Sequence, residues 1–248
     1  MLAIKIIINN FLRVMLLLLV FSTSLGLLSG CSSQSKKADK NSAARYNAEL
    51  GAKYLQMGRL TLANQKLEKA LKQDPNSSKV NHSYALLKQK IGDMDAATRY
   101  FKKAVKINHK DPSLLNNYGS HLCQTGHYDE ALKQFELASK SPFYKTPEFA
   151  YTNAGICSRK MQNDIKAEQY FRKALSKKTN FGSALFEMAK LNYDQGSFAK
   201  AQAFLLRYDD NNLPSVESLA LCTQINTQLG NTDKADRCLE KKLHLFSK

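Results

Sequence analysis

Five cysteines carry the most reactive side chains of this 248-residue chain: Cys31, Cys123, Cys157, Cys222 and Cys238. A thiol can bind metal, attack a substrate or pair as a disulfide. Zinc sites need closely spaced ligand pairs. The chain has no Cys-x-x-Cys and no His-Glu-x-x-His, and His82, His109, His121, His127 and His244 are dispersed along it. His121 and His127 lie near each other but flank a turn, and each of the five is expected as a satisfied surface histidine. No serine elbow, paired acidic residues or phosphate-cradling glycine loop accompanies the thiols. No catalytic residue, metal ligand, cofactor or small-molecule substrate is therefore expected, and the chain reads as a binding scaffold. Disulfides remain: apart from Cys31, four cysteines allow two bridges in three connectivities.

The elements that must place these cysteines are legible from Pro112 to Ala138, PSLLNNYGSHLCQTGHYDEALKQFELA. Gly119 falls where one helix approaches another, Gly126 where the chain turns, and Ala131 and Ala138 where two helices touch. Tyr118, Leu122, Tyr128 and Phe135 fill the space between. Steps of 34 residues repeat the pattern: Gly58, Gly92 and Gly126 align, as do Ala63, Ala97 and Ala131, Leu67, Phe101 and Phe135, and Ala70, Ala104 and Ala138. This resembles the tetratricopeptide repeat, a pair of antiparallel helices that recurs every 34 residues. The resemblance implies an all-α, right-handed superhelical solenoid of six repeats, approximately 44–77, 78–111, 112–145, 148–181, 182–215 and 216–248. Asp111 offers an N-cap and Pro112 the first helical position of repeat three. Ser141 to Pro147, with two prolines, lengthens the connection before repeat four.

Ahead of the repeats, Lys5 and Arg13 flank a lead-in, and Val14–Leu28 is almost wholly apolar. That core is shorter than the roughly 20 residues a bilayer-spanning helix needs, which fits a secretory signal over residues 1–30. It ends in Leu28-Ser29-Gly30-Cys31, which matches the bacterial lipobox. The match implies cleavage before Cys31, a thioether-linked diacylglycerol and N-acylation; acyl chains in that number exceed the two signals needed for stable anchoring. Ser32 in place of aspartate favours, by similarity to Gram-negative lipoproteins, the outer membrane with the body facing the periplasm. Residues 31–43 lack large apolar side chains and are expected as a disordered tether; residues 44–248 form the repeat domain.

In tetratricopeptide proteins the first helix of each repeat lines a concave groove. Transferred position by position, this implies groove residues His82, Leu86 and Gln89 in repeat two, and Asn116, Ser120 and Gln124 in repeat three. Repeat four would contribute Phe149, Thr152, Ile156 and Arg159, and repeat five Phe186, Lys190 and Tyr193. Amides mixed with apolar side chains suit an amphipathic helix or an extended peptide, although the apolar ones could equally pack between helices. Cys123 and Cys157 occupy the first helices of consecutive repeats, which run side by side, so a bridge between them is expected. Cys222 and Cys238 lie in the two helices of repeat six, where a bridge and free buried thiols are both open.

The formal charge is +16, which raises nucleic acid, anionic lipid or an acidic protein as partners. Nucleic acid conflicts with export, and the lysines are scattered with no basic run longer than two, the usual mark of a solvated surface. With the lipobox and the repeats, Asn117-Tyr118-Gly119, Leu122-Cys123, Asn153-Ala154-Gly155-Ile156-Cys157 and Ala167-Glu168-Gln169-Tyr170-Phe171 make the chain similar to the type IV pilus biogenesis lipoproteins of the PilW/PilF family. The resemblance implies a pilotin-like role: acyl chains in the inner leaflet of the outer membrane, and a groove that holds a segment of the pilus secretin and promotes its localisation and multimerisation. The alternative is a repeat lipoprotein adaptor for cell-wall hydrolases or outer-membrane protein assembly.

Overall fold

A computed structural model describes residues 31–210 and 212–246, with side chains over 41–210 and 212–245. The expected signal peptide, residues 1–30, lies outside the described residues. Among those described there are twelve helices and no strand: α1 Cys31–Gln56, α2 Leu60–Gln73, α3 Ser78–Lys90, α4 Met94–Ile107, α5 Pro112–Gln124, α6 Tyr128–Lys140, α7 Pro147–Lys160, α8 Asp164–Lys177, α9 Gly182–Asp194, α10 Phe198–Asp209, α11 Val216–Gln228 and α12 Thr232–Phe246. They pair into six tetratricopeptide repeats. Residues 31–43, expected as a disordered tether, continue α1 as helix. Lys, Gln and Ala favour helix, and no proline or glycine occurs between Cys31 and Leu50 to stop it growing back from the packed part of α1.

The starts of the helices follow from short polar caps. The Asp111 carboxylate accepts from the backbone N–H of Ser113 at 2.9 Å and of Leu114 at 3.1 Å, with Pro112 at the first helical position. Asp93 and Asn163 cap α4 and α8 in the same way, and Ser215 and Ser218 form a reciprocal capping box at α11. These side chains satisfy N–H groups that the first turn leaves without intrahelical partners.

The chain divides into two compact units between Ser83 and Tyr84, inside α3. In the first, Ala44, Ala48, Ala63, Leu67 and Ala70 are buried, and the Asn47 side chain of α1 donates to Gln73 of α2 at 2.9 Å. In the second, one core cluster runs through repeats two to four, from Ala85, Ala97 and Phe101 through Tyr118 and Phe135 to Ala154 and Cys157. Phe171, Met188 and Leu191 carry the core into repeat five, and Leu205, Leu221 and Ile225 into repeat six. Helix contact is close enough that a Cβ on Gly119 would lie 2.8 Å from the Phe135 ring, and one on Gly155 would collide with Phe171. The small residue of the first helix is what admits the buried aromatic of the second.

Candidate functional site: the first-helix face

The first helices of repeats three to six touch in series, α5 to α7, α7 to α9 and α9 to α11. Cys123 in the last turn of α5 is bonded to Cys157 in the last turn of α7, with Cα atoms 5.8 Å apart. Equivalent positions therefore face one another, and these helices run parallel. Cys157 is fully buried and Cys123 nearly so. Cys222 and Cys238 are joined within repeat six, Cα to Cα 6.0 Å, and line a cavity of about 240 Å³ together with Asp209. Burial, and after it the neighbouring Asp210, raise the pKa of the Asp209 carboxyl.

Across the first-helix face of the second unit, polar side chains form a ladder from repeat to repeat. Gln89 donates to Gln124 at 2.7 Å. Asn153 donates to Asn116 at 3.0 Å and to the Ser120 hydroxyl at 3.3 Å. Arg159 donates to Asp194 and lies 3.6 Å from the Asp164 carboxylate, so one half-buried guanidinium joins α7, α8 and α9. Lys190 pairs with Glu187 at 3.1 Å and stands 5.7 Å over the Phe186 ring. None of these cations is left uncompensated.

The apolar positions are divided between helix packing and the surface. Leu86 and Ile156 rest half-buried on the cores of neighbouring repeats. Phe186 and Tyr193 pack on the cluster around Leu205 and Leu221, in tilted contact with Tyr208 and Phe198. Phe149 is exposed at the start of α7 and meets Phe181 edge to face at 4.7 Å. Thr152 is buried, and its hydroxyl donates to the Glu148 carbonyl of its own helix at 2.8 Å, so it presents nothing to solvent. His82 belongs to the first unit, half-buried on α3.

Residue pattern alone missed three members of this face, Asn153, Asp194 and Glu187. The available signal for Asn153 was its offset of 37 and 33 residues from the two groups it bridges, close to one repeat period.

His121 corrects the expectation of a surface histidine: it is fully buried. Tyr118, His121 and Leu122 share the face of α5 that meets α4, because positions three and four apart superpose on a helix. The imidazole lies 5.2 Å from the Phe101 ring and its Nε2 is 2.7 Å from Thr98 Oγ1. That hydroxyl donates to the Met94 carbonyl, so its oxygen accepts, and Nε2 carries the proton. Nδ1 has no partner. Charging the ring would bury a second N–H with no acceptor; burial first, and His127 second, hold the pKa below its ordinary value.

Comparison with known proteins adds to this geometry. Residues 78–111 match the tetratricopeptide repeat family. The type IV pilus assembly protein PilF of Pseudomonas aeruginosa is 29% identical over 223 residues, 88% of each chain. The solved structure of Pseudomonas aeruginosa PilF superposes with a TM-score of 0.74 at 26% identity, covering 84% of this chain and 94% of that one. PilW, a type IV pilus biogenesis factor, superposes with a TM-score of 0.75 at 27% identity, covering 82% and 94%. The chain is homologous to PilF and shares the fold of PilF and PilW. The similarity extends over nearly the whole of the solved PilF and PilW chains, so the repeat array described above is the shared part.

Proposed function

We propose that this protein is an outer-membrane lipoprotein, anchored through acyl chains on Cys31 and facing the periplasm, that binds the type IV pilus secretin and promotes its localisation and multimerisation. The observation that carries the reading is the similarity to PilF and PilW over more than four fifths of this chain. The first-helix face supplies the means. Half-buried Phe186, Tyr193 and Ile156 offer apolar footholds, and the amides of Gln89, Gln124 and Asn153 offer exchangeable hydrogen bonds to an amphipathic or extended segment. No step of chemistry is required; the protein acts by holding its partner.

Deletion of the gene tests this, with membrane fractions blotted for heat-resistant secretin multimers and surface pili counted in the same strain. The expected result is loss or mislocalisation of the multimers together with loss of pili. Intact multimers with pili absent would move the role to fibre stabilisation. Intact multimers and intact pili would overturn the proposal and favour the cell-wall or outer-membrane assembly adaptor.

A further inference from the structure

The two edges of the second unit differ in composition. Because the first helices run parallel, every loop that leads from one repeat into the next lies on one edge, and every turn within a repeat lies on the other. The within-repeat turns 91–93, 125–127, 161–163, 195–197 and 229–231 contain no lysine or arginine. On the opposite edge the loops 108–111, 141–146 and 178–181 each carry one exposed lysine, Lys110, Lys145 and Lys178. None of the three takes part in an ion pair among the described residues; Lys178 stands 5.7 Å over the Phe181 ring. The Asp111 carboxylate in the first of these loops is turned onto the α5 N-terminus, so it does not neutralise Lys110.

Large apolar side chains protrude from the same loops. Phe143 is 83% exposed and Leu213 is 88% exposed, and Ile107, the last residue of α4, is 43% exposed. Beside Leu213, a mostly apolar cavity of about 570 Å³ opens between Pro214, Leu219 and Leu245, with Glu240, Lys241 and His244 completing its wall. The last loop follows the acidic pair Asp209 and Asp210, and its contribution is apolar. An exposed phenylalanine two residues from Lys145, which lacks an acidic partner among the described residues, is poorly suited to water. It suits an anionic bilayer, where phosphates accept from the ammonium groups while the ring enters the acyl boundary. Among the described residues no helix is long and apolar enough to cross a membrane, and a surface contact needs none.

We infer that the inter-repeat edge of the second unit is a membrane-facing surface that docks on anionic lipid headgroups, with Phe143 and Leu213 as its inserting side chains. The inference concerns the loop edge and stands apart from the secretin reading, which concerns the first-helix face.

The chain contains no tryptophan, so a single introduced indole reports on its own position alone. The full chain carrying Phe143→Trp is mixed with vesicles of phosphatidylethanolamine and phosphatidylglycerol whose acyl chains are brominated. A second sample carries Ile91→Trp, in the exposed turn 91–93 of the other edge. A local readout leaves any insertion of the N-terminal segment out of the signal. The expected result is a blue shift and quenching for Phe143→Trp and neither for Ile91→Trp. Partitioning should fall by at least about fivefold for each lysine reversed to glutamate, since losing the cation alone is the equivalent of about 1 kcal/mol near an anionic surface and the new carboxylate is repelled as well. Lys145→Glu with Lys178→Glu, at exposed sites, should therefore abolish most of the quenching with unchanged far-ultraviolet ellipticity. No quenching at position 143, equal quenching at both positions, or quenching indifferent to the two reversals would each overturn the inference.

Discussion

Replacing Cys123 and Cys157 together by alanine removes the link between repeats three and four, and its cost can be worked from the geometry. The bridge spans a sequence separation of 34 residues, and closing a loop of that length in the unfolded chain corresponds to about 4 kcal/mol of stability. The bridge in repeat six spans 16 residues and corresponds to about 3 kcal/mol. The two differ more in what they hold. The first joins separate repeats inside a continuous core, while the second joins two helices that already touch within one repeat. Stability in a repeat array is a sum of neighbour terms, so the first link should govern the whole second unit and the second mainly its last helix pair. The assay is urea unfolding at neutral pH of four samples: oxidised wild type, wild type unfolded and refolded in reductant, Cys123→Ala/Cys157→Ala and Cys222→Ala/Cys238→Ala. Refolding in reductant is needed because Cys157 is shielded in the folded state. The reduced wild type keeps every sulfur and therefore isolates the links from packing. Loss of about 4 kcal/mol in the first double variant, with slower hydrogen exchange in α5 and α7 whenever the bridge is present, is the expected outcome. A midpoint indistinguishable from that of the oxidised wild type would refute the reasoning.

Gly155→Ala should destabilise by about 1–3 kcal/mol, the usual range for overpacking, because the new methyl meets the fully buried Phe171 ring; thermal unfolding measures it, and an unchanged Tm would show that the helices can part freely. Gln162→Gly should stabilise: Gln162 has φ 57 where the equivalent turn position of repeat three is Gly126 at φ 84, and relief of a left-handed side chain outweighs the added freedom of glycine by about 0.5–1 kcal/mol, readable as a shift in urea midpoint. His121 makes folding pH-dependent: its pKa is lowered on folding, so the unfolded chain binds more protons, and the stabilisation present above about pH 6.5, the ordinary histidine value, is lost as pH falls through the folded pKa. The difference in urea midpoint between wild type and His121→Leu should therefore change between pH 7 and pH 5, and a constant difference would rule the histidine out.

The helix pairs were legible because their signals are steric and recur. Gly119, Ala131, Phe135 and Ala138 each meet a neighbour at a fixed distance, so the period of 34 records contacts directly, and Asp111-Pro112 marks a helix start by local chemistry. The site was less legible. Thr152 and Phe149 sit at family groove positions, yet one is buried and bonded within its own helix and the other meets Phe181 of the next repeat's loop, contacts that no pattern within a single repeat records. The ladder pairs were hidden for a related reason: their separations run from 33 to 37 residues, so no single offset reveals them. His121 was misjudged because polarity was weighed alone, while its spacing from Tyr118 already placed it on the inner face of α5.

The ladder also governs the energetics of any ligand that lies on the first-helix face. Gln89, Gln124, Asn116, Asn153, Arg159 and Lys190 already have partners, so an arriving peptide exchanges hydrogen bonds and gains few. An exchange of that kind contributes little net free energy. It does impose a filter, since a segment unable to replace the rung it breaks leaves an amide or a carboxylate stranded. Recognition here is selective by penalty, and affinity must come from the aromatic footholds beside the rungs.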